Sequence, residues 1–464
     1  MSEAAGRPRP GDVLLLEVDD LAAGGDAVAH HDGFAVFLPY GAVGDRVRAR
    51  VLEVHPRYAR AAIESVEAPA PARVAPPCPV FGRCGGCAWQ HVAYEAQLAA
   101  KRKIVTDALE RIGGFTTGDA PGAVRVREIL GMARPWHYRN KAAVPVAAGP
   151  DGRVRLGYYA RGSHEVVDWD DCHLEDERLV AALRAMRRLI ERWRLQPYDE
   201  ARHAGLVRHV VGRVAVATGE LLLGLVLNGE GFDGEDAFAR ELRAAVPGLA
   251  GFVLNVQRAR GNRILGPRTR TVWGRPYVRD KLLGLRFHVS LASFYQVNPA
   301  QTEALYRRAL EYVDGTARRA LDAYSGIGTI ALLLAAKAEE VLGLEIVPEA
   351  VADARENARL NGVENARFEA AAVEERLPQL LAAGWRPDVA VLDPPRAGAH
   401  PEALAALAAA GVPRIVYVSC NPATFARDAA YLRGCGYRLV EVTPVDMFPQ
   451  TAHVELCAQI VREG

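Results

Sequence analysis

The hydrophobic pattern changes its period along this chain. Between residue 11 and about residue 67, apolar stretches are short and separated by Gly/Asp turns: Val13 to Val18, Phe34 to Leu38, Val47 to Val54 and Ala61 to Val66. Such turn-bounded runs predict strands, and four of them suit a small OB-like β-barrel over residues 1–67. A Pro/Ala linker and a cysteine turn follow over 68–92. From Tyr94 to Ile112 the apolar residues Leu98, Val105, Leu109 and Ile112 fall on one side of a helix, which Gly113-Gly114 stops, within a segment 93–122. Residues 123–285 mix strand and helix patterns without an internal repeat. From 286 to 464, apolar strands near 319–324, 341–346, 387–392, 414–419 and 453–460 alternate with alanine-rich helices. That alternation predicts an α/β fold with a mostly parallel, doubly wound, Rossmann-like sheet.

Composition adds little until it is read by region. Half of the 464 residues are hydrophobic and 24% are charged, an ordinary globular mix with net charge +1. Met1 to Pro10 has no apolar core of a leader and no stretch reaches membrane-spanning length, so the expectation is a cytoplasmic protein without membrane contact. From Gly251 to Ser290 nine Lys/Arg face one acid, Asp280, whereas acids outnumber bases eleven to five from Leu321 to Leu380. A basic region interleaved with Trp273, Tyr277 and Phe287 suits a nucleic-acid grip beside a small-molecule site, with a solvated charged face as the competing reading. Arg139, Asn140 and Lys141 are either further RNA contacts or plain surface residues.

Seven cysteines in such a chain do not suggest disulfides. Cys78, Cys84 and Cys87 sit in CPVFGRCGGC, where Gly85-Gly86 make a tight turn, and Cys172 follows in DWDDCHLED. Four thiolates suit zinc or an iron–sulfur cluster, and spacing alone does not choose between these and unliganded thiols. Cys435 and Cys457 are expected to be buried and inert.

The chemistry concentrates at predicted strand ends. Leu321-Asp322-Ala323-Tyr324-Ser325-Gly326-Ile327-Gly328 opens a helix, and Glu345 closes a second strand about 20 residues on, where nucleotide folds hold ribose hydroxyls. The full dinucleotide glycine fingerprint is missing, so the spacing fits S-adenosylmethionine better than NAD. Asp393-Pro394-Pro395-Arg396 ends a third strand. Val418-Ser419-Cys420-Asn421-Pro422 ends a fourth, with Glu455 thirty-five positions later in His453-Val454-Glu455. A thiol beside a carboxylate suggests covalent catalysis with acid/base help. C5 of a pyrimidine is a poor nucleophile until a thiolate adds at C6. Cys420 would make that bond and Glu455 would remove the C5 proton, on a base drawn out of its stack.

On the segments FYQVN (Phe294 to Asn298), DAYSGIGTIAL (from Asp322), DPPR (from Asp393), SCNP (from Ser419) and the closing HVE, the chain resembles the RNA uracil-C5 methyltransferases over nearly its whole length. The CGGC turn preceded by Cys78 fits the same family. The resemblance implies an N-terminal TRAM barrel, a central α+β RNA-binding domain including Cys172, and a class I methyltransferase domain on which the 93–122 helix packs. It implies S-adenosylmethionine contacts from Gln296, Tyr324, Gly326, Glu345 and Asp393, and a 4Fe–4S cluster on Cys78, Cys84, Cys87 and Cys172. It implies a monomer acting on RNA, 23S rRNA above all, with the tRNA T-loop as alternative. Gln450-Thr451-Ala452 departs from the family's usual His-Thr, which bears on substrate fit. Three other readings compete. A radical methylthiotransferase would need a CxxxCxxC triad that is not here. A non-catalytic iron–sulfur RNA-binding protein would not need Cys420, Glu455 and Asp393 together. A cytosine-C5 methyltransferase shares the thiol chemistry but fits HVE and FYQVN less well.

Overall fold

The computed structural model describes residues 7–313, 315 and 317–463. Strands β1 (Val13–Leu21), β2 (Ala27–His31), β3 (Phe34–Leu38), β4 (Arg46–Val54) and β5 (Tyr58–Ala68) close a barrel in the order β1-β2-β3-β5-β4. β2 is a strand the hydrophobic pattern does not announce, because its inward residues are only Ala27 and Ala29. Both are fully buried where a small barrel leaves room for a methyl.

Helix α1 (Tyr94–Arg111) leads out of the cysteine turn. Its buried stripe is Gln97, Lys101, Val105, Ala108 and Leu109, whereas Ile112 is 54% exposed. The predicted face was therefore rotated, since two polar residues occupy the interior for reasons seen only in the tertiary structure. After the short β6 (Arg125–Val126) comes the central domain: β7 (Lys141–Ala148), β8 (Val154–Tyr159), β9 (Val166–Asp168), α2 (Glu177–Arg192), β10 (Val207–Val214), β11 (Leu221–Leu227), α3 (Glu235–Ala245), β12 (Leu249–Val256) and β13 (Arg268–Gly274). Its sheet runs β13-β12-β11-β10-β7-β8-β9. Alternate residues such as Val144, Val210 and Leu223 pack with α2 and α3, and the opposite set, Val211, Leu222 and Val253, packs with Leu291 and Tyr295 of the last domain. Burial on both faces makes β10 and β11 continuously apolar, which hid them from a period-two reading.

The last domain begins with the hairpin β14 (Tyr277–Leu282) and β15 (Leu285–Ser290) and the helix α4 (Pro299–Tyr312). Then β16 (Ala317–Asp322), α5 (Thr329–Leu334), β17 (Ala338–Glu345), α6 (Pro348–Leu360), β18 (Ala366–Ala370), α7 (Val373–Ala382), β19 (Val389–Leu392), α8 (Pro401–Ala410), β20 (Arg414–Ser419), α9 (Pro422–Gly434), β21 (Tyr437–Val445) and β22 (Glu455–Arg462) follow. The sheet order is β18-β17-β16-β19-β20-β22-β21-β6, parallel through β20 and with β22 antiparallel to both neighbours. The order reverses between β16 and β19, which opens a crevice at their carboxyl ends where open α/β sheets bind ligands. Among the described residues no helix is long and apolar enough to cross a membrane.

Candidate active site

Cys420 stands where β20 stops. Asn421 ends the strand by capping α9, its side chain accepting from Ala423 N–H at 3.1 Å, and Pro422 takes the first helical position. The same Asn421 donates Nδ2 to the Arg396 carbonyl at 3.0 Å, which ties this corner to the Asp393–Arg396 loop. β20 and β22 run antiparallel with Ser419 opposite Leu456, so the next residues outward are Cys420 and Glu455. Cys420 is half-buried, while Glu455 is only 4% exposed and its Oε2 has no hydrogen-bond partner among the described residues.

Charge at this edge is nearly all negative. Burial first, and then Asp393, pushes the Glu455 carboxyl up to about 8, with Arg396 pulling it back. Burial pushes Asp393 up to about 6 even though its edge reaches the surface. Asp322, fully buried at the end of β16, is pushed up to about 7 by burial and by Asp393, against the N–H groups of Tyr324 and Ala331. The Cys420 thiol is raised by burial and by Glu455 and Asp393, and lowered by Arg396. A cluster of carboxylates that resist ionisation suits a cationic ligand, whose charge would lower all of them together.

The glycine loop has the shape such a ligand needs. Glu345, at the end of β17, accepts from Gly326 N–H at 3.0 Å and Val347 N–H at 2.9 Å, which fixes the carboxylate beside the loop. Gly328 has φ +87°, and a Cβ there would meet Phe368 at 3.1 Å and Ala354 at 3.2 Å, so the position requires glycine on two counts. Ile346 is 70% exposed next to Glu345, an apolar platform the sequence reading passed over. Gln296 is buried, and its backbone carbonyl accepts from Asn140 Nδ2 at 3.0 Å. Tyr324 packs among the apolar residues beneath the sheet, its hydroxyl held by the backbone N–H of His400. Asp322 and Arg396 belong to the same acidic edge, although the sequence pattern assigns neither a role. An aspartate ending an apolar strand was the available signal for the first.

Residues 446–453, which deliver Glu455, are clamped from several sides. Lys101 and Asp446 are both fully buried and pair at 2.5 Å, and Lys101 Nζ also donates to the Phe448 carbonyl at 2.9 Å. Tyr94 donates its hydroxyl to Asp446 at 2.7 Å, Tyr138 to the Pro449 carbonyl at 3.0 Å, and Asn298 Nδ2 to the Met447 carbonyl at 3.0 Å. Gln450, held at φ +68°, exchanges two amide hydrogen bonds with Gln97. Its carbonyl accepts from both Ala88 N–H and Trp89 N–H at 3.0 Å. Gln450, the departure noted in the sequence, thus joins the loop ahead of Glu455 to the cysteine turn.

Cys78, Cys84, Cys87 and Cys172 line one cavity of about 120 Å³, together with Arg139 and Trp169. The turn reaches Cys172 because Gly85 N–H donates to the Tyr159 carbonyl at 2.8 Å, docking it on β8. Gln90 Nε2 donates to Cys87 Sγ at 3.0 Å. Burial pushes the Cys87 thiol up to about 12 and raises Cys84 and Cys172 as well, with neighbouring thiols adding to each. Among the described residues no group of three His, Cys, Asp or Glu side chains is drawn in closely enough to hold a single metal ion. The four cysteines nonetheless line the same cavity.

Three expectations need correcting. Cys435 is exposed, because it follows the last turn of α9 just before Gly436. Asn140 is a buried strut to Gln296 rather than a surface residue, and Arg139 pairs with buried Glu175 at 3.1 Å. Within the basic stretch Arg268 pairs with Glu230, Arg270 with Glu235, and Arg275 and Arg279 with Glu220. Phe287 is fully buried core.

The comparisons with known proteins cover both ends of this architecture. The family profile described as tRNA (Uracil-5-)-methyltransferase matches residues 94–463, and the TRAM domain profile matches residues 7–63. A protein of Halalkalibacterium halodurans named as an uncharacterized RNA methyltransferase is 42% identical over 459 residues, 99% of either chain. One of Listeria monocytogenes with the same description is 40% identical over 443 residues, 95% of this chain and 96% of that one. Among solved structures, Pyrococcus abyssi tRNA (uracil-54, C5)-methyltransferase in complex with S-adenosyl-L-homocysteine superposes with a TM-score of 0.77 at 28% identity. It covers 96% of this chain and 99% of its own.

Proposed function

Because the chain belongs to the tRNA (uracil-5-)-methyltransferase family and carries a TRAM domain ahead of it, we propose that its strand-end thiol and carboxylate methylate uridine C5 in RNA through a covalent adduct. The protein is an S-adenosylmethionine-dependent RNA uracil-5 methyltransferase. Cys420 loses its proton and bonds to C6 of the uracil, and the ring electrons shift onto C5 and O4. The donor, when bound, supplies an electrophilic methyl on a cationic sulfonium. C5 takes that methyl while still carrying its hydrogen. Glu455 then removes the C5 proton, the electron pair restores the C5–C6 double bond, and the Cys420 sulfur leaves. Gln296, Tyr324, Gly326, Glu345 and Asp393 are the residues assigned to the donor, and the acidic edge they form favours its positive charge.

Cys78, Cys84, Cys87 and Cys172 are assigned to a 4Fe–4S cluster. A zinc ion would need all four sulfurs within ~2.3 Å of one centre, whereas a cluster spreads them over four irons, in keeping with thiols that share a cavity without crowding one point. The cluster would serve as a staple between the turn and β8, since methyl transfer is redox-neutral.

The observation that supports the mechanism is the Ser419–Leu456 rung between β20 and β22, after which Cys420 and Glu455 are the next residues. RNA containing 5-fluorouridine tests it, because fluorine cannot leave as a proton. A denaturant-stable, methylated protein–RNA adduct at Cys420 is expected. Failure to form one, or turnover by Cys420→Ala, removes the covalent route. The favoured target is 23S rRNA, argued from the four-cysteine set. The tRNA T-loop is the second reading, favoured by the Pyrococcus abyssi likeness. Mass mapping of rRNA and tRNA from a deletion strain decides between them.

A further inference from the structure

The central sheet has one face that is only partly covered. Near its catalytic end, Val211 and Ala143 pack against the methyltransferase domain. Farther along β7 the cover ends, and the residues on that face are small: Pro145 and Ala147, with His209 opposite Pro145 on β10. The result is a hollow of about 580 Å³, within the ~300–1,000 Å³ range of ligand pockets. Rings stand around it. Tyr159 stacks on His164 with centroids 5.2 Å apart and planes 28° apart. The Arg208 guanidinium lies 4.4 Å from the centroid of Tyr198 and donates to the carbonyls of Gln257 at 2.9 Å and Ala259 at 2.7 Å. Arg208 is 5% exposed, so this brace between the two rim loops is built into the fold. His209 Nδ1 has no hydrogen-bond partner among the described residues. The exposed Arg260 and Arg263 flank Gly261 and Asn262 on the rim.

We propose that this hollow receives one unstacked base of the RNA substrate, from a nucleotide flanking the target uridine. The proposal rests on the RNA methyltransferase reading above and adds a site to it. Flat aromatic walls suit a nucleobase, because every base has a π-face and stacking tolerates sequence. The His209 ring adds a third flat wall to the hollow, opposite Pro145. Rim arginines suit the phosphates on either side. The distance suits a neighbour in the same strand. Asn140, which holds the Gln296 backbone, is five residues along from Pro145, about 17 Å at ~3.3 Å per residue. Tyr158 lines both this hollow and the cysteine cavity, so the docked cysteine turn also fixes one wall.

Fluorescence anisotropy with labelled single-stranded RNA nonamers tests this, with a central 5-fluorouridine and each flanking nucleotide made abasic in turn. Wild-type protein should lose about 10-fold in affinity at one flanking position, the usual scale of one stacked base. Tyr159→Ala should bind the intact nonamer about 10-fold more weakly and lose nothing further at that position, while Tyr159→Phe should bind as wild type. His209→Ala should show the same insensitivity to that abasic position. Equal losses at every position, additive losses in the variants, unchanged binding by Tyr159→Ala and His209→Ala, or no nonamer binding at all would each overturn it. Failure of the methylation reading would show separately, as absence of the Cys420 adduct in the wild-type protein on the same RNAs.

Discussion

Cys420 and Glu455 are the residues next after the Ser419–Leu456 rung, so a single antiparallel pairing sets the spacing of the proposed nucleophile and base. Their roles are sequential and should separate on mutation. Cys420→Ala should abolish methylation and leave donor binding near normal. Glu455→Gln should permit attack and methyl transfer but stall before release, so that a methylated protein–RNA adduct builds up on denaturing gels. A fully active Glu455→Gln enzyme would reassign the base.

The ionisation of Glu455 gives that step a pH dependence with a definite sign. A base must be deprotonated to act, and this carboxyl is pushed up to about 8. Single-turnover adduct release should therefore rise with pH up to about 8. Arg396 lowers both Glu455 and Cys420, so Arg396→Gln should move the rising limb to higher pH. Arg396 is exposed, so the displacement should be small and should shrink in 1 M salt, where the Debye length is about 3 Å. An unmoved limb would mean that another group is being titrated.

The same carboxyl links stability to pH. Its folded value lies above the ~4.3 of a free glutamate, so the folded protein holds this proton more tightly than the unfolded chain. The stabilisation is complete below about pH 4 and is lost as pH rises towards 8. Glu455→Gln, which is neutral throughout, should thus gain in melting temperature over wild type at pH 8 and show no such gain at pH 4–5. Equal differences at both pH values would mean that the carboxyl is not held in its protonated form.

The α/β class was legible because five strands of the last domain alternate with helices, whereas β18 and β21 were not. β18 is an edge strand carrying Arg367 and Glu369, and β21 contains Arg438, Glu441 and Pro444, so neither looks like a buried parallel strand. The candidate residues were legible as motifs at strand ends, since their chemistry is local to a few consecutive positions. Long-range partners were not. Nothing in the sequence of α1 shows that Gln97 and Lys101 point inward, because Gln450 and Asp446, which pair with them, lie some 350 positions away. The pairings of Arg268, Arg270, Arg275 and Arg279 were hidden for the same reason: their carboxylate partners Glu220, Glu230 and Glu235 precede the stretch.

The shared cysteine cavity predicts a coloured protein. Anaerobically purified enzyme should be brown, with about four irons per chain on the 4Fe–4S assignment, and any one Cys→Ser change at 78, 84, 87 or 172 should lower that content. Because Ala88 and Trp89 hold the Gln450 carbonyl directly after Cys87, chelation of the iron should also raise hydrogen exchange in residues 446–453. Colourless, zinc-loaded protein would overturn the cluster. Iron loss without a change in exchange would confine it to the turn.

The buried pair Lys101–Asp446 ties α1 to the loop that leads to Glu455, the proposed base, and its removal tests that tie. Breaking a buried pair by deleting one partner leaves an uncompensated charge and costs about 3–5 kcal/mol. Lys101→Met should therefore lower stability on that scale in denaturant unfolding and slow methylation, since Phe448 also loses its donor. Replacing both partners, Lys101→Met with Asp446→Leu, should restore much of the stability because no lone charge remains. Tyr94, whose hydroxyl donates to Asp446, would still lose its acceptor, so recovery should be incomplete. If activity returned in full along with stability, the ion pair would hold the fold together without positioning Glu455. A persisting kcat defect at normal stability marks Lys101 and Asp446 as positioning residues for the base.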